Sequence, residues 1–227
     1  MRLQFSRLLC FAFAFLGGAL TASTQTMHVA ELKAGQLLVA PRDPPDPHFA
    51  ETVILLVQHD EEGAVGLMIN RRTRVPISEA LDRSGVANGR SEPIYMGGPV
   101  ELSGVLALLR SHSAPEDATQ IFADVYAIST KSLLEKTLAS KADSSQFRVY
   151  LGYCGWGAGQ LENEVKRGGW HVFDGDASLV FDSDPATVWQ RLIARTEMQL
   201  AGVPALGRAG RNGALRREAS SYSGLRF

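Results

Sequence analysis

The chain has 227 residues, with 23 lysines and arginines against 24 aspartates and glutamates, and 45% of its residues are hydrophobic. These values fit one domain of about 150–200 residues with short appendages, and they exclude collagen, a disulfide scaffold and disorder throughout. The near-neutral charge is unlike that of a strongly basic nucleic-acid-binding protein, so direct DNA binding is not expected.

The first 23 residues have the pattern of a signal peptide. Arg2 and Arg7 form a positive start, residues 8–20 are an apolar run, and small residues follow at 21–23. A membrane-spanning helix needs about 20 apolar residues, so the shorter run fits a signal peptide better. The pattern predicts a periplasmic or secreted protein. The alternatives are a retained N-terminal anchor helix, and a cytoplasmic protein if translation starts at Met27.

The next part of the chain, from residue 30, begins with short strands. Residues 36–40 and 52–58 are predicted strands, and four prolines between them prevent a regular element. The charged residues 59–63 predict a hairpin turn, and a strand is predicted over 64–70. A short helix over 77–81 follows.

The remaining elements up to residue 198 are again mostly strands. The predicted strands are 94–96, 105–110, 121–128, 147–153 and 170–173, and the predicted helices follow Ser129, span 159–166 and begin at Pro185. Because helices are few and irregularly placed, the pattern favours an α+β domain with a mixed sheet over a strict βαβ repeat.

A glycine-rich segment, residues 152–162, is the most distinctive motif. It follows a predicted strand and precedes a predicted helix, where glycines let backbone amides approach a ligand and the helix start favours anions. Gln160 or Glu162 stands where a dinucleotide-binding fingerprint needs its third glycine, so no nucleotide cofactor is predicted. The alternative is structural, with the glycines allowing Trp156 to pack across a crowded corner.

Asn70 and Arg71 lie at the end of a predicted strand, and a guanidinium group can bind a carboxylate or phosphate with two hydrogen bonds. If the strands that end near residues 70, 96 and 153 are neighbours, their loops converge on one cleft. The alternative is a solvated arginine pair. The candidate ligand-binding residues are Asn70, Arg71, Gly97, Gly98, Tyr153, Gly155, Trp156, Gly157, Gly159 and Gln160.

Catalytic motifs are missing from the sequence. It contains no GxSxG, HExxH or CxxC pattern. Cys154 with His59 or His171 is a conceivable thiol catalyst, but no orienting Asn or Asp is identified. The residues of the 59–63 turn include ligands for a hard cation, although a charged hairpin tip is favoured. We therefore predict no catalytic residue, no metal site and no cofactor, and favour a protein that is not an enzyme.

The last segment, residues 202–227, contains five arginines and one glutamate and has no helical periodicity. The composition predicts a solvated, disordered tail. Weak contact with an anionic membrane surface is the alternative.

Residues 152–162 resemble the G-Y-x-G-W-x-x-G-Q-L-E signature of the AlgH/YqgE family, also called UPF0301. Four further motifs resemble that family in the same order, and together they extend from residue 35 to about residue 195. They are G-Q-L-L-V-A at 35–40, D-P-H-F-A at 46–50, G-L-M-I-N-R at 66–71 and Y-M-G-G-P-V at 95–100. The resemblance implies that residues 30–198 form one α+β domain with a bifurcated, barrel-like β-sheet and a few flanking helices.

The same resemblance implies little about activity, because none is established for the family. One member is named as a candidate transcriptional regulator of alginate synthesis, without a recognised DNA-binding motif. Position 154 usually holds a small residue there, so Cys154 is interpreted as a packing residue. We predict a non-enzymatic regulatory or binding protein whose glycine-rich face binds a small anionic ligand or a protein partner. The alternatives are a hydrolase using the predicted cleft and a transcriptional regulator that acts indirectly.

Overall fold

The structure of the protein is a computed structural model that describes residues 31–81, 87, 89–140 and 142–202. The predicted signal peptide, Met27 and residues 203–227 of the predicted tail lie outside these residues. Within the described residues, no helix has both the length and the apolar character needed to cross a membrane. Export and tail disorder therefore stay predictions.

Ten strands form the sheet of the described part of the chain. Their bounds are β1 Gln36–Val39, β2 Val53–Asp60, β3 Gly63–Met68, β4 Arg72–Pro76, β5 Pro93–Met96, β6 Val100–Arg110, β7 Thr119–Phe122, β8 Val125–Ile128, β9 Phe147–Gly157 and β10 His171–Asp174. The helices are α1 Ile77–Ala80, α2 Lys131–Leu138, α3 Gln160–Lys166, α4 Ala177–Val180 and α5 Val188–Gly202. Short 3₁₀ turns occupy Pro47–Phe49 and Pro185–Thr187.

The sheet forks at β9, which pairs with three other strands. Its spatial order is β10-β1-β2-β3-β9-β6-β8-β7, and β5 carries β4 as a branch. One edge of β9 pairs with β6, whereas the other edge pairs in parallel with β5 at Tyr150 and antiparallel with β3 from Cys154 onward. The sheet curls into a half-barrel, so the predicted α+β fold with a bifurcated, barrel-like sheet is confirmed.

Strand β1 and the first half of β2, residues 53–56, are buried on both faces, which explains their continuous apolar sequence. Side chains alternate between the two faces of a strand. Leu37 and Leu55 belong to one core cluster with Trp189 of α5, and Leu38 and Ile54 belong to a second cluster with Trp156, Leu161 and Trp170. Helices α3 and α5 therefore cover opposite faces of the same strands.

Two predicted elements differ from the structure. Residues 121–128 are not one strand, because the chain turns at Ala123, whose φ is 42°, and forms the β7–β8 hairpin. The glycine-rich segment is also not a loop, since β9 continues through Gly155 to Gly157. The reason is close pairing with β3: a Cβ on Gly63 would lie 2.1 Å from the carbonyl oxygen of Trp156.

Candidate functional site

A cleft of about 610 Å³ opens beside the C-terminal half of β9. Its walls come from the proline-rich segment before β2, the turn before β6, the end of β9, and α3 with the residues that follow it. The lining residues are Pro44, Pro45, Asp46, Phe49, Pro99, Val100, Cys154, Gly155, Trp156, Gln160, Glu164, Arg167, Gly169 and Trp170. This volume is typical of small-molecule sites, and most of these residues are apolar or aromatic.

Three aromatic rings form the floor of the cleft. The ring centroids of Phe49 and Trp170 are 5.5 Å apart, and those of Trp156 and Trp170 are 6.3 Å apart. Both pairs meet edge to face, with interplanar angles of 75° and 82°, which is a preferred arrangement of aromatic rings. The floor is therefore a surface of closely packed rings.

Glu164 joins this floor to α3. Its Oε2 accepts hydrogen bonds from Trp156 Nε1 at 3.0 Å and from Trp170 Nε1 at 2.9 Å. Its Oε1 accepts a third from Gln160 Nε2 at 3.0 Å, and Gln160 Oε1 accepts one from the Gly157 amide at 3.2 Å. Since the two indole side chains are largely buried, this carboxylate supplies the acceptor that their N–H groups need.

The start of α3 is a glycine turn in which no side chain caps the first amide groups. Gly159 takes the left-handed conformation, with φ of 70°, at the N-cap position, and α3 has only seven residues. The Gly157 amide is already bonded to Gln160. Gly157 and Gly159 lie outside the lining of the cleft, so the structure brings Gly155, Trp156 and Gln160 to it from the predicted set.

Asn70 and Arg71 hold one rim of the cleft instead of lining it. Asn70 Oδ1 accepts from the Val53 amide at 2.9 Å, and its Nδ2 donates to the carbonyl oxygen of Glu51 at 2.8 Å. Arg71 donates to the carbonyl oxygen of Ala50 and to Thr52 Oγ1. The clamped residues follow directly on Phe49 of the cleft floor.

The clamped turn is strained at one position. Glu51 has φ of 55°, a conformation that is unfavourable for residues other than glycine and is often found near functional sites. Glu101, with φ of 48°, follows Pro99 and Val100 of the cleft lining. A glutamate in the left-handed conformation thus lies close in sequence to each of these two parts of the lining.

Gly97, Gly98 and Tyr153 mark a close approach of backbones. A Cβ on Gly98 would lie 2.1 Å from the carbonyl carbon of Tyr153, and one on Gly97 would lie 2.3 Å from the carbonyl oxygen of Gly152. Both glycines are buried and lie outside the lining of the cleft. They let the chain enter β6 directly against β9, which places Pro99 and Val100 on the wall.

Cys154 is the buried thiol beneath the cleft. It is 2% exposed, and its Sγ donates to the carbonyl oxygen of Gly97 at 3.6 Å. Burial raises the pKa of the thiol to about 12, so it is protonated at neutral pH and is a poor nucleophile. His59 pairs instead with Glu162 at 2.7 Å, and burial lowers the pKa of His171.

Metal-binding groups are also missing from the part of the chain that the structure describes. It contains no group of three or more His, Cys, Asp and Glu side chains able to hold a metal ion.

A second cavity, of about 600 Å³, lies between the β7–β8 hairpin, the end of β10 and α5. Its rim carries the Arg110–Asp124 ion pair, and none of the predicted site residues reaches it.

The sequence does not predict several of the lining residues as site residues. Glu164, Arg167 and Trp170 come together only after α3 folds back on β9, and Pro44 and Pro45 appeared only as breakers of regular structure. The available signal for Glu164 was its position four residues after Gln160, which places both side chains on one helix face.

Comparison with known proteins assigns the chain to a family. The AlgH-like family model matches residues 37–201. A UPF0301 protein of Sphingopyxis alaskensis is 36% identical over 163 residues, which cover 70% of this chain and 87% of that protein. A UPF0301 protein of Chlorobaculum tepidum is 33% identical over 163 residues, covering 71% and 86%.

Two solved structures have the same fold. The solution structure of the AlgH protein from Pseudomonas aeruginosa matches with a TM-score of 0.58 and 27% identity, and the match covers 86% of this chain and all of that one. A crystal structure of a protein from Corynebacterium diphtheriae matches with a TM-score of 0.62, covering 73% and 88%; at 22% identity it supports the fold alone. This chain belongs to the AlgH-like family of UPF0301 proteins.

Proposed function

We propose that this protein is a non-enzymatic binding protein and that the aromatic cleft is its ligand site. The observation that carries the proposal is the Glu164 network. It satisfies both indole N–H groups and the Gln160 amide, so the cleft presents a rigid apolar surface of rings to a ligand. Such preorganised apolar surfaces, with few polar groups at the margin, are typical of ligand-binding pockets.

The geometry gives less support to a hydrolase. Acyl transfer needs a nucleophile next to a base, and the only thiol at the cleft is buried and protonated. Asn70 and Arg71, which the hydrolase alternative places in the cleft, are bonded to residues 50–53. Indirect transcriptional regulation through a bound ligand is compatible with the proposal, but it has its support in the family resemblance alone.

A small ligand fits better than a protein partner. The cleft volume of about 610 Å³ lies within the range of roughly 300–1,000 Å³ that is usual for small-molecule sites. Its walls are concave and come from four separate segments, an arrangement that surrounds a compact molecule.

The proposal can be tested with a neutral aromatic probe, N-phenyl-1-naphthylamine, whose emission rises in apolar sites. We expect saturable binding at one site per chain. Gly155→Val adds a side chain at the exposed, cleft-lining position of β9 and is expected to weaken binding at least ~10-fold by occupying ligand volume.

Gly157→Val is the matched control, because Gly157 lies two residues along the same strand, outside the cleft lining. A Cβ there meets no atom within 4 Å, whereas one on Gly155 meets only the Tyr153 ring, at 3.3 Å. The control is expected to bind like the unmodified chain. Equal affinities for all three proteins, or no saturable binding, would contradict the proposal; thermal unfolding confirms that each variant is folded.

A further inference from the structure

We infer that the ligand is an aromatic or similarly flat apolar molecule that carries one anionic group, and that the Arg167 guanidinium binds that group. The inference rests on the proposed function and identifies the class of ligand. The cleft lining contains three side chains of charged residue types: Asp46, Glu164 and Arg167.

The two carboxylates already have partners. Glu164 accepts three hydrogen bonds from the floor and from α3. Asp46 Oδ1 accepts from the backbone amide and from Nδ1 of His48, each at 2.9 Å, and the backbone hydrogen bond from His48 holds the pKa of Asp46 below its usual value. Neither carboxylate therefore lacks a donor.

Arg167 differs from both carboxylates. Its backbone amide donates to the carbonyl oxygens of Asn163 and Glu164, which fixes the residue at the end of α3. Its guanidinium has no hydrogen bond or ion pair to any residue that the structure describes, and the residue is exposed at the cleft. Arg167 is the only cation in the lining. The polar group available to a ligand is therefore a positively charged hydrogen-bond donor.

A guanidinium beside an aromatic floor suits a particular chemistry. Its planar array of N–H donors binds a carboxylate, sulfonate or phosphate with two parallel hydrogen bonds. The rings of Phe49 and Trp170 supply contact area for a flat apolar body. Binding both parts at once favours a molecule in which a ring system and an anion are joined.

The same charged residues limit the ligand to one anionic group. The lining has two carboxylates, Asp46 and Glu164, but only one guanidinium, that of Arg167. A second anionic group on the ligand would therefore lie near carboxylates with no further cation in the lining to bind it. Like charges at close range are repulsive, particularly where apolar walls exclude water. Nucleoside diphosphates and triphosphates are therefore expected to bind poorly.

Two dyes of nearly the same shape test the inference on the full chain. 8-Anilinonaphthalene-1-sulfonate is an aromatic monoanion, and N-phenyl-1-naphthylamine is its neutral counterpart. We expect Arg167→Gln to weaken binding of the sulfonate roughly five- to tenfold and to leave the affinity for the neutral dye within about twofold, since a charge-assisted hydrogen bond to the anion is lost. Lys166→Gln removes an adjacent exposed charge outside the lining and is expected to change neither affinity by more than about twofold.

The results separate the inference from the proposed function. If both dyes bind and Arg167→Gln leaves the sulfonate unaffected, or weakens both dyes equally, the inference fails while the cleft remains the binding site. If neither dye binds to the unmodified chain, the proposed function fails as well. Displacement of the bound sulfonate by a nucleoside diphosphate would overturn the restriction to one anionic group.

Discussion

Replacing Glu164 with glutamine tests whether the hydrogen-bond network holds the cleft together. The substitution keeps the size and shape of the side chain but removes its charge and one acceptor. Trp156 and Trp170 both donate to Oε2, and Gln160 donates to Oε1. A glutamine offers one oxygen and an amide group, so it cannot accept from the indoles and from Gln160 at the same time.

The expected cost follows from the individual contacts. Hydrogen bonds to a charged group contribute about 1.5–3 kcal/mol each, against about 0.5–1.5 kcal/mol for neutral pairs. The two hydrogen bonds from the indoles would then go to a neutral acceptor. The hydrogen bond from Gln160 would be lost, because two amide N–H₂ groups would face each other. We expect a loss of about 2–3 kcal/mol in the free energy of unfolding, which corresponds to a fall of roughly 5–10 °C in Tm for a domain of this size.

Chemical and thermal unfolding monitored by tryptophan emission measures this cost. Glu62→Gln is the control, because Glu62 lies at the exposed tip of the β2–β3 hairpin and its carboxylate accepts no hydrogen bond from any residue that the structure describes. The control is expected to change the free energy of unfolding by less than about 0.5 kcal/mol. A Glu164→Gln chain with a Tm within about 2 °C of the unmodified chain would refute the reasoning.

Three further predictions concern the backbone, the thiol and the rim. Gly98→Ala is expected to reduce the free energy of unfolding by more than about 3 kcal/mol, because its Cβ would meet the β9 backbone at 2.1 Å; a soluble variant of unchanged Tm would contradict the close approach. Cys154 is expected to resist iodoacetamide at pH 8 unless the chain is unfolded, as peptide mass mapping would show. Because burial raises its folded pKa to about 12, above the unfolded value of about 8.5, its contribution to stability is complete below pH ~8.5 and declines as the pH rises toward 12. Asn70→Ala is expected to reduce the free energy of unfolding by about 1–3 kcal/mol, because the Val53 amide loses its acceptor, and hydrogen exchange at that amide should become faster. An unchanged exchange rate would contradict the hydrogen bond between Val53 and Asn70.

Local patterns in the sequence predict much of the fold. The apolar runs of β1 and β2, the charged turn between β2 and β3 and the helix after Pro185 all lie near their predicted positions. These elements depend on periodicity and on turn residues, which act over a few positions. The α5 residues Val188 and Trp189, on its predicted apolar face, are buried as that periodicity requires.

Long-range pairing explains what the sequence does not predict. The glycines at 155 and 157 suggest a loop by their composition, but they continue β9 because β3 pairs closely with them. The residue types of Asn70 and Arg71 suggest ligand-binding side chains at the cleft. Their partners are instead mostly backbone atoms of residues 50–53, and no sequence pattern predicts such contacts. The meeting of Glu164 with Trp156 and Trp170 depends on how α3 packs.

The most direct test of the central claim uses the three tryptophan indole N–H signals in a ¹H–¹⁵N spectrum of the full chain. Trp156 and Trp170 lie in the cleft, whereas Trp189 donates to the carbonyl oxygen of Ala40 and lies outside its lining, so it serves as an internal reference. On titration with 8-anilinonaphthalene-1-sulfonate we predict that the Trp156 and Trp170 signals shift together and saturably while the Trp189 signal stays in place. Saturation with both cleft signals unmoved would show that the ligand site is elsewhere.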